Sequence, residues 1–301
     1  MKPQDQLELE RIQDPPTRVD PAVSTVKTIL LHVQDDSSLD QRLQSALSLA
    51  RSCEAHLSCL HVTPIEAYVA FDSFGGVFVM SDVIKALDEG EANVRSRLEE
   101  RLGREDVSWD YVQITGNVIS QIISHAALAD LIVVGRDAHR SDFVGPTIGM
   151  LGDLLYRSRT PLFVTGSDGV ACDPTGTALV LWDGSYEAAN AVRSSIGLLK
   201  LASNVMVLQI EDKKEKQFPS TRLLEYLSRQ GIHADARIEP FVEPKSDDQF
   251  LSEHMIARAE SLDRGYIVMG GYNHSRIGEY MFGGVTRYML ANSTVPIIIA
   301  H

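Results

Sequence analysis

Short runs of consecutive apolar and β-branched residues alternate along this chain with longer stretches in which apolar residues recur every three or four positions. The first pattern predicts strands buried on both faces, the second amphipathic helices. Thr28 to Val33, His56 to Val62, Trp109 to Thr115, Leu131 to Val134 and Leu162 to Thr165 read as strands. Leu39 to Ala50, Glu89 to Leu102 and Val118 to Ala129 read as helices between them. The order then recurs, with strands at Ala178 to Trp182, Val205 to Ile210, His233 to Ile238, Tyr266 to Met269 and Ile297 to Ala300. Helices fall through Ala188 to Leu199, Arg222 to Gln230, Phe250 to Glu260 and Arg287 to Leu290. Strands alternating with helices predict an α/β fold: two doubly wound, five-stranded parallel sheets of Rossmann-like type in tandem.

A single register connects the two halves. The shift that carries Gly135 onto Gly270 also carries His139 onto His274, Gly149 onto Gly284, Leu155 onto Leu290, Ser158 onto Ser293 and Pro161 onto Pro296. An ungapped match running through strand, loop, helix and strand is the mark of a duplication. The expected organisation is a disordered, proline-containing tail over 1–24, a first domain over 25–166, a linker over 167–176 and a second domain over 177–301. Near the first helices the shift is larger, Leu49 matching Leu198, so the first copy holds a surplus of chain between there and the glycine loop. The aromatic, glycine-containing segment Tyr68 to Met80 is where that surplus is expected, as a flap over a ligand, a subunit contact, or a piece packed on its own domain.

Composition narrows the function classes. A formal charge of −13 argues against a nucleic-acid surface, which needs clustered Lys and Arg. No apolar run reaches the length of a membrane span, and the first residues are too polar for a signal peptide. Cys53, Cys59 and Cys172 make no disulfide framework, so a cytoplasmic protein is expected. Cys53, His56 and Cys59 lack a fourth ligand nearby, and no metal site is expected there.

The richest stretch for chemistry is Gly270, Gly271, Tyr272, Asn273, His274 and, further on, Gly283, Gly284, Val285 and Thr286. It lies between a strand and a helix, where backbone N–H groups and a helix N-terminus can receive a phosphate. At the end of the first strand of the same half, Asp183 precedes Gly184 and Ser185, and a doubly wound sheet lets these two loops meet at its carboxyl edge. Each feature also has a plain structural reading. Gly270 and Gly283 suit close helix packing, Asp183 to Ser185 suits a turn and N-cap, and His274 has its counterpart His139 in the other copy.

Taken together, these residues resemble the universal stress protein family in its tandem form. The family pattern has an Asp after the first strand, then Gly, two residues, Gly, nine residues, Gly and Ser or Thr after the fourth. The second copy offers Asp183, Gly270, Asn273 and Gly283, with Asn273 in place of a glycine, Gly284 in place of the hydroxyl, and Thr286 close by as a substitute. The first copy departs further, with Gln34, Ala138, Pro146 and Ile148 at or near motif positions. The resemblance implies an adenine nucleotide α-hydrolase-like fold and ATP or a related adenine nucleotide, with or without Mg, in the second domain. It also implies pairing through the last strands, here Leu162 to Thr165 with Ile297 to Ala300 inside one chain, with further homodimerisation left open. The site residues expected are Asp183, Gly184, Ser185, Gly270, Asn273, His274, Gly283, Gly284, Val285 and Thr286. No Walker lysine, zinc-protease helix or nucleophile elbow is present, so binding in a stress response is expected rather than fast catalysis. The alternatives are a signalling or interaction module whose two sites have decayed, and a slow ATP hydrolase.

Overall fold

The computed structural model describes residues 24–64, 70–71, 77–78, 81–136, 149–210, 218–240, 248–262, 265–271 and 283–301. The first half contains β1 (Thr28–Val33), α1 (Leu39–Cys53), β2 (His56–Pro64), a short antiparallel pair β3 (Ala70–Phe71) and β4 (Val77–Phe78), and α2 (Ser81–Leu102). It continues with β5 (Trp109–Gly116), α3 (Val118–His125), β6 (Leu131–Val134), α4 (Gly149–Arg157) and β7 (Leu162–Val164). The second half holds β8 (Thr177–Leu181), α5 (Tyr186–Ser194), α6 (Ile196–Leu199), β9 (Asn204–Ile210), α7 (Ser220–Arg229) and β10 (Ala234–Glu239). It ends with α8 (Asp248–Glu260), β11 (Tyr266–Gly270), α9 (Gly284–Asn292) and β12 (Ile297–Ala300).

Ten of these strands form one sheet in the order β10-β9-β8-β11-β12-β7-β6-β1-β2-β5. In this sheet all pairs within each half are parallel; the halves join where β12 runs antiparallel to β7. There Phe163 faces Ile298, the residue that the duplication makes its own counterpart. A local two-fold axis therefore passes between them. Helices cover both faces of the inner strands, so each of these turns alternate side chains into two apolar layers, while the edge strand β10 is largely exposed. Ile29 and Leu31 join the layer under α1, α2, α5 and α7, while Leu30 joins the layer under α3, α4, α8 and α9. Burial on both sides is why the strands read as continuous apolar runs.

The duplication holds its register strand by strand but is uneven in its middle. Ile29 pairs with Leu131 as Ala178 pairs with Tyr266, so β1 corresponds to β8 and β6 to β11. Leu57 of β2 lies beside Trp109 of β5 as Val205 of β9 lies beside Ala234 of β10. Between these second and third strands the first half is much the longer, and between the third and fourth the second half is somewhat longer. The surplus placed at Tyr68 to Met80 is thus a larger insertion partly offset elsewhere, and α2 begins at Ser81 rather than near Glu89. Most of the segment Tyr68 to Met80 lies outside the described residues, as does the tail up to residue 23, while Ser24 and Val26 are buried.

The helix expected to run unbroken from Ala188 to Leu199 is interrupted at Ser195. Its hydroxyl donates back to the Ala191 carbonyl at 2.8 Å, a bond that competes with the regular ladder. The connection between the halves is fastened to α1. Gln41 Nε2 donates to the carbonyls of Gly166 and Val170, both at 3.0 Å, and the Cys172 N–H reaches Ser45 Oγ at 3.2 Å.

Candidate functional site

In the second half, Trp182, Asp183, Gly184 and Ser185 follow β8 at the carboxyl edge of the sheet. Asp183 Oδ1 accepts from the Ser185 N–H at 3.0 Å and from its hydroxyl at 2.6 Å, and Ser185 Oγ accepts from the Ala188 N–H at 3.1 Å, capping α5. Gly184 makes the turn in the left-handed region at φ 78°. Phe218, after β9, closes over this turn: its N–H donates to the Gly184 carbonyl and its own carbonyl accepts from the Trp182 indole at 3.0 Å. Gly270 ends β11 with its back to the same turn. A Cβ there would stand 2.6 Å from the Glu187 carbonyl carbon and strike the backbone of Ala188.

Asp183, Gly184, Ser185 and Gly270 are therefore one contiguous corner. Gly283 precedes α9 with nothing within 4 Å of the place a Cβ would take. Gly284, Val285 and Thr286 form the first turn of α9, and Thr286 is buried. Asp248, at the start of α8, lays its carboxylate against Gly284 at the positive end of α9. Asn273 and His274 lie outside the described residues.

The first half solves the same corner differently. Arg42, buried in α1, pairs with Asp36 at 3.0 Å and donates to the Gln34 carbonyl at 2.7 Å. Its guanidinium fills the space in front of Gly135, where a Cβ would stand 3.2 Å from Arg42 Cζ. One residue on, Arg136 donates from Nε to the Thr165 carbonyl at 2.8 Å, while its two terminal nitrogens are buried without partners. Burial pulls the Arg136 pKa down to about 10, partly opposed by Asp168.

Beside this corner the first half holds a cavity of about 390 Å³ beyond the carboxyl ends of β1 and β2, walled by His32, Asp35, His61, Glu91, Asn117 and Met150 among others. Burial, then the nearby Arg42 charge, lowers the His32 pKa to about 3, and burial also lowers that of His61. Both imidazoles are neutral at pH 7. His61 Nδ1 meets the Tyr111 hydroxyl at 2.8 Å. Glu91 is held by the Thr63 hydroxyl and by Gln113 Nε2 at 2.6 Å. Asp35 at the rim pairs with Arg97 at 2.9 Å.

Residues 25–147 match the model of the universal stress protein family. This stretch of the chain is a universal stress protein domain. The match falls on the half whose loop departs further from the phosphate-loop pattern. Solved structures carry the fold across more than nine-tenths of the chain. A universal stress protein from Archaeoglobus fulgidus DSM 4304 aligns over 91% of this chain and 95% of its own, at 16% identity and a TM-score of 0.68. A protein of unknown function from Pseudomonas aeruginosa PAO1 aligns over 92% of each chain at 16% identity and a TM-score of 0.56. A putative universal stress protein from Pseudomonas aeruginosa UCBPP-PA14 aligns over 92% and 93% at 15% identity and a TM-score of 0.53. No curated protein matched the sequence.

In the second half the glycine motif led to one corner and not to its neighbours. Arg42, Asp36, Asp248 and the cavity histidines were not among the expected site residues. The signal for His32 was present: a lone histidine inside the apolar run Thr28 to Val33 is a buried polar group needing an explanation. His56, by contrast, is engaged by Asp110 at 2.7 Å and Ser108 at 2.8 Å, and burial pushes the Cys59 thiol up to about 12. No helix among the described residues is long and apolar enough to cross a membrane.

Proposed function

We propose that this chain is a universal stress protein that acts in the cytoplasm by binding an adenine nucleotide, ATP or a relative with or without Mg, at the corner formed by Asp183, Gly184, Ser185 and Gly270. The observation that supports this reading is the contact of Gly270 with the first turn of α5, which puts the Asp183 turn and the start of the β11–α9 loop side by side. Asp183 is then in reach of a base or ribose, and the free space at Gly283, just before α9, suits the phosphates. Asn273 and His274 belong to the loop between them. No positioned base or nucleophile accompanies the corner among the described residues, so the role proposed is binding, with turnover slow or absent.

A second reading is a partner-recruiting module that holds no nucleotide. It is favoured by Asp248, whose carboxylate lies against Gly284 where a phosphate would approach, and by Gly270, whose lack of a side chain is already accounted for by packing. Titration calorimetry of the intact chain with MgATP separates the two. Saturable binding lost in Asp183→Ala and Gly283→Val supports the nucleotide; absence of binding by the intact chain supports the module. Gly283→Val is a clean probe because its Cβ meets no protein atom within 4 Å. A slow hydrolase would require phosphate release above a heat-inactivated control.

A further inference from the structure

We propose that the cavity in the first half is a second ligand site, one that takes a small organic cation bearing amine or guanidinium donors and turns away phosphate. It is independent of the nucleotide reading of the second half. The volume of about 390 Å³ suits a small organic molecule, and the lining joins polar side chains to the apolar Val33, Val62 and Met150.

Among the described lining residues its charge has one sign. The formally charged groups among them are Asp35 and Glu91, and none is Lys or Arg. Asp35 has Arg97 as its partner. Glu91 is held by the neutral Thr63 and Gln113, and no ion pair among the described residues offsets it. The nearest basic residue one turn along α2, Arg95, is committed to Glu99 at 2.8 Å and to the face of Tyr111 at 5.4 Å. His32 and His61 add hydrogen-bonding nitrogens without charge. The N-terminus of α3 also borders the cavity, but Asn117 Oδ1 already accepts from the Ser120 N–H at 3.0 Å. Its partial positive charge faces two whole negative ones.

A second observation points to a ligand. His32 is only 3% exposed, borders the cavity, and its side chain makes no hydrogen bond within the described structure. Buried polar groups normally have partners, and an imidazole left unpaired at a polar cavity is served by whatever enters it. A metal ion is a poorer occupant than an organic cation: the described residues contain no group of three metal-ligating side chains. In the second half the counterpart of His32 is Leu181 and that of His61 is Gln209, so this polar wall belongs to the first half alone.

Agmatine, with an amine at one end and a guanidinium at the other, is the probe. Calorimetry of the intact chain is expected to give saturable binding at one site, weakened roughly tenfold or more by Glu91→Gln, which removes one charge partner from the cavity wall, and unchanged by Asp183→Ala. Asp35→Asn, at an exposed rim position, is expected to weaken it by about twofold to fivefold and serves if Glu91→Gln fails to fold. Failure of agmatine to bind overturns the proposal, as does binding that both substitutions leave unchanged. So does ATP binding that survives Asp183→Ala but is lost when Ile119→Trp fills the cavity. A nucleotide result in the second half leaves each of these outcomes readable.

Discussion

Each half of the molecule places a glycine at the end of its fourth strand, and the two glycines face different neighbours. Gly270 is pressed by the backbone of α5, whereas Gly135 is faced by the guanidinium of Arg42. The residue standing where Arg42 would be in the second half is Ala191, small and fully buried. A small residue lets the helix settle onto the sheet; an arginine holds it off and fills the gap with a charge that Asp36 must neutralise. The same sequence signal therefore answers two packing problems. A glycine retained through a duplication does not by itself report a retained ligand.

Breaking the arginine solution should have the largest effect. Arg42→Met leaves the Asp36 carboxylate buried without its partner and is expected to lower stability by about 3–5 kcal/mol, read as a drop in the urea midpoint. The double substitution Arg42→Met with Asp36→Leu should recover much of that loss. Breaking the close-packed solution comes next. Gly270→Ala drives a methyl group into the α5 backbone and is expected to cost about 1–3 kcal/mol, while Gly283→Ala, which meets nothing, shifts the same midpoint by less than about 0.5 kcal/mol.

Acid should distinguish the halves as well. The His32 pKa is lowered to about 3 in the folded protein from an ordinary value of 6.5, so between these values the unfolded chain binds more protons than the folded one. The contribution of neutral His32 is complete above about pH 6.5 and is lost as pH falls toward 3, with a slope of at most about 1.4 kcal/mol per pH unit. His61, also lowered by burial, adds to the slope in the same direction. Chemical denaturation at pH 7, 6, 5 and 4 should show a shallower fall for His32→Leu, the residue type of its counterpart Leu181. An unchanged slope would mean that His32 is not the buried titrating group. The smallest effect expected is on binding: Asp248→Asn, by removing the carboxylate at Gly284, should tighten MgATP about twofold to fivefold in calorimetry.

Much of the fold was legible because its physics is local. Buried parallel strands such as Ile132 and Val133 in β6 need apolar residues on both faces, and a helix between strands needs a periodic stripe; both leave marks in the sequence. The duplication was legible because strand, loop and helix diverged without gaps from Leu131 onward. The uneven middle was harder. A long insertion in one half and a shorter one in the other partly cancel, and a comparison of end points sees only the difference.

The candidate site was legible in part. Asp183 and Gly270 could be brought together by topology alone. What opposes them could not: Asp248 reaches Gly284 only because α8 starts further back than α3 does, and Arg42 pairs with Asp36 only once the chain turns between β1 and α1. The cavity depends on α2 carrying Glu91 over the ends of β1 and β2, a placement set by packing rather than by any motif.

Titrating the intact chain with MgATP beside Asp183→Ala and Ile119→Trp, one substitution in each half, tests whether the second half holds the nucleotide. One nucleotide per chain is expected, its binding abolished or weakened at least tenfold by Asp183→Ala and untouched by Ile119→Trp. No saturable heat from the intact chain, or binding lost only with Ile119→Trp, would contradict it.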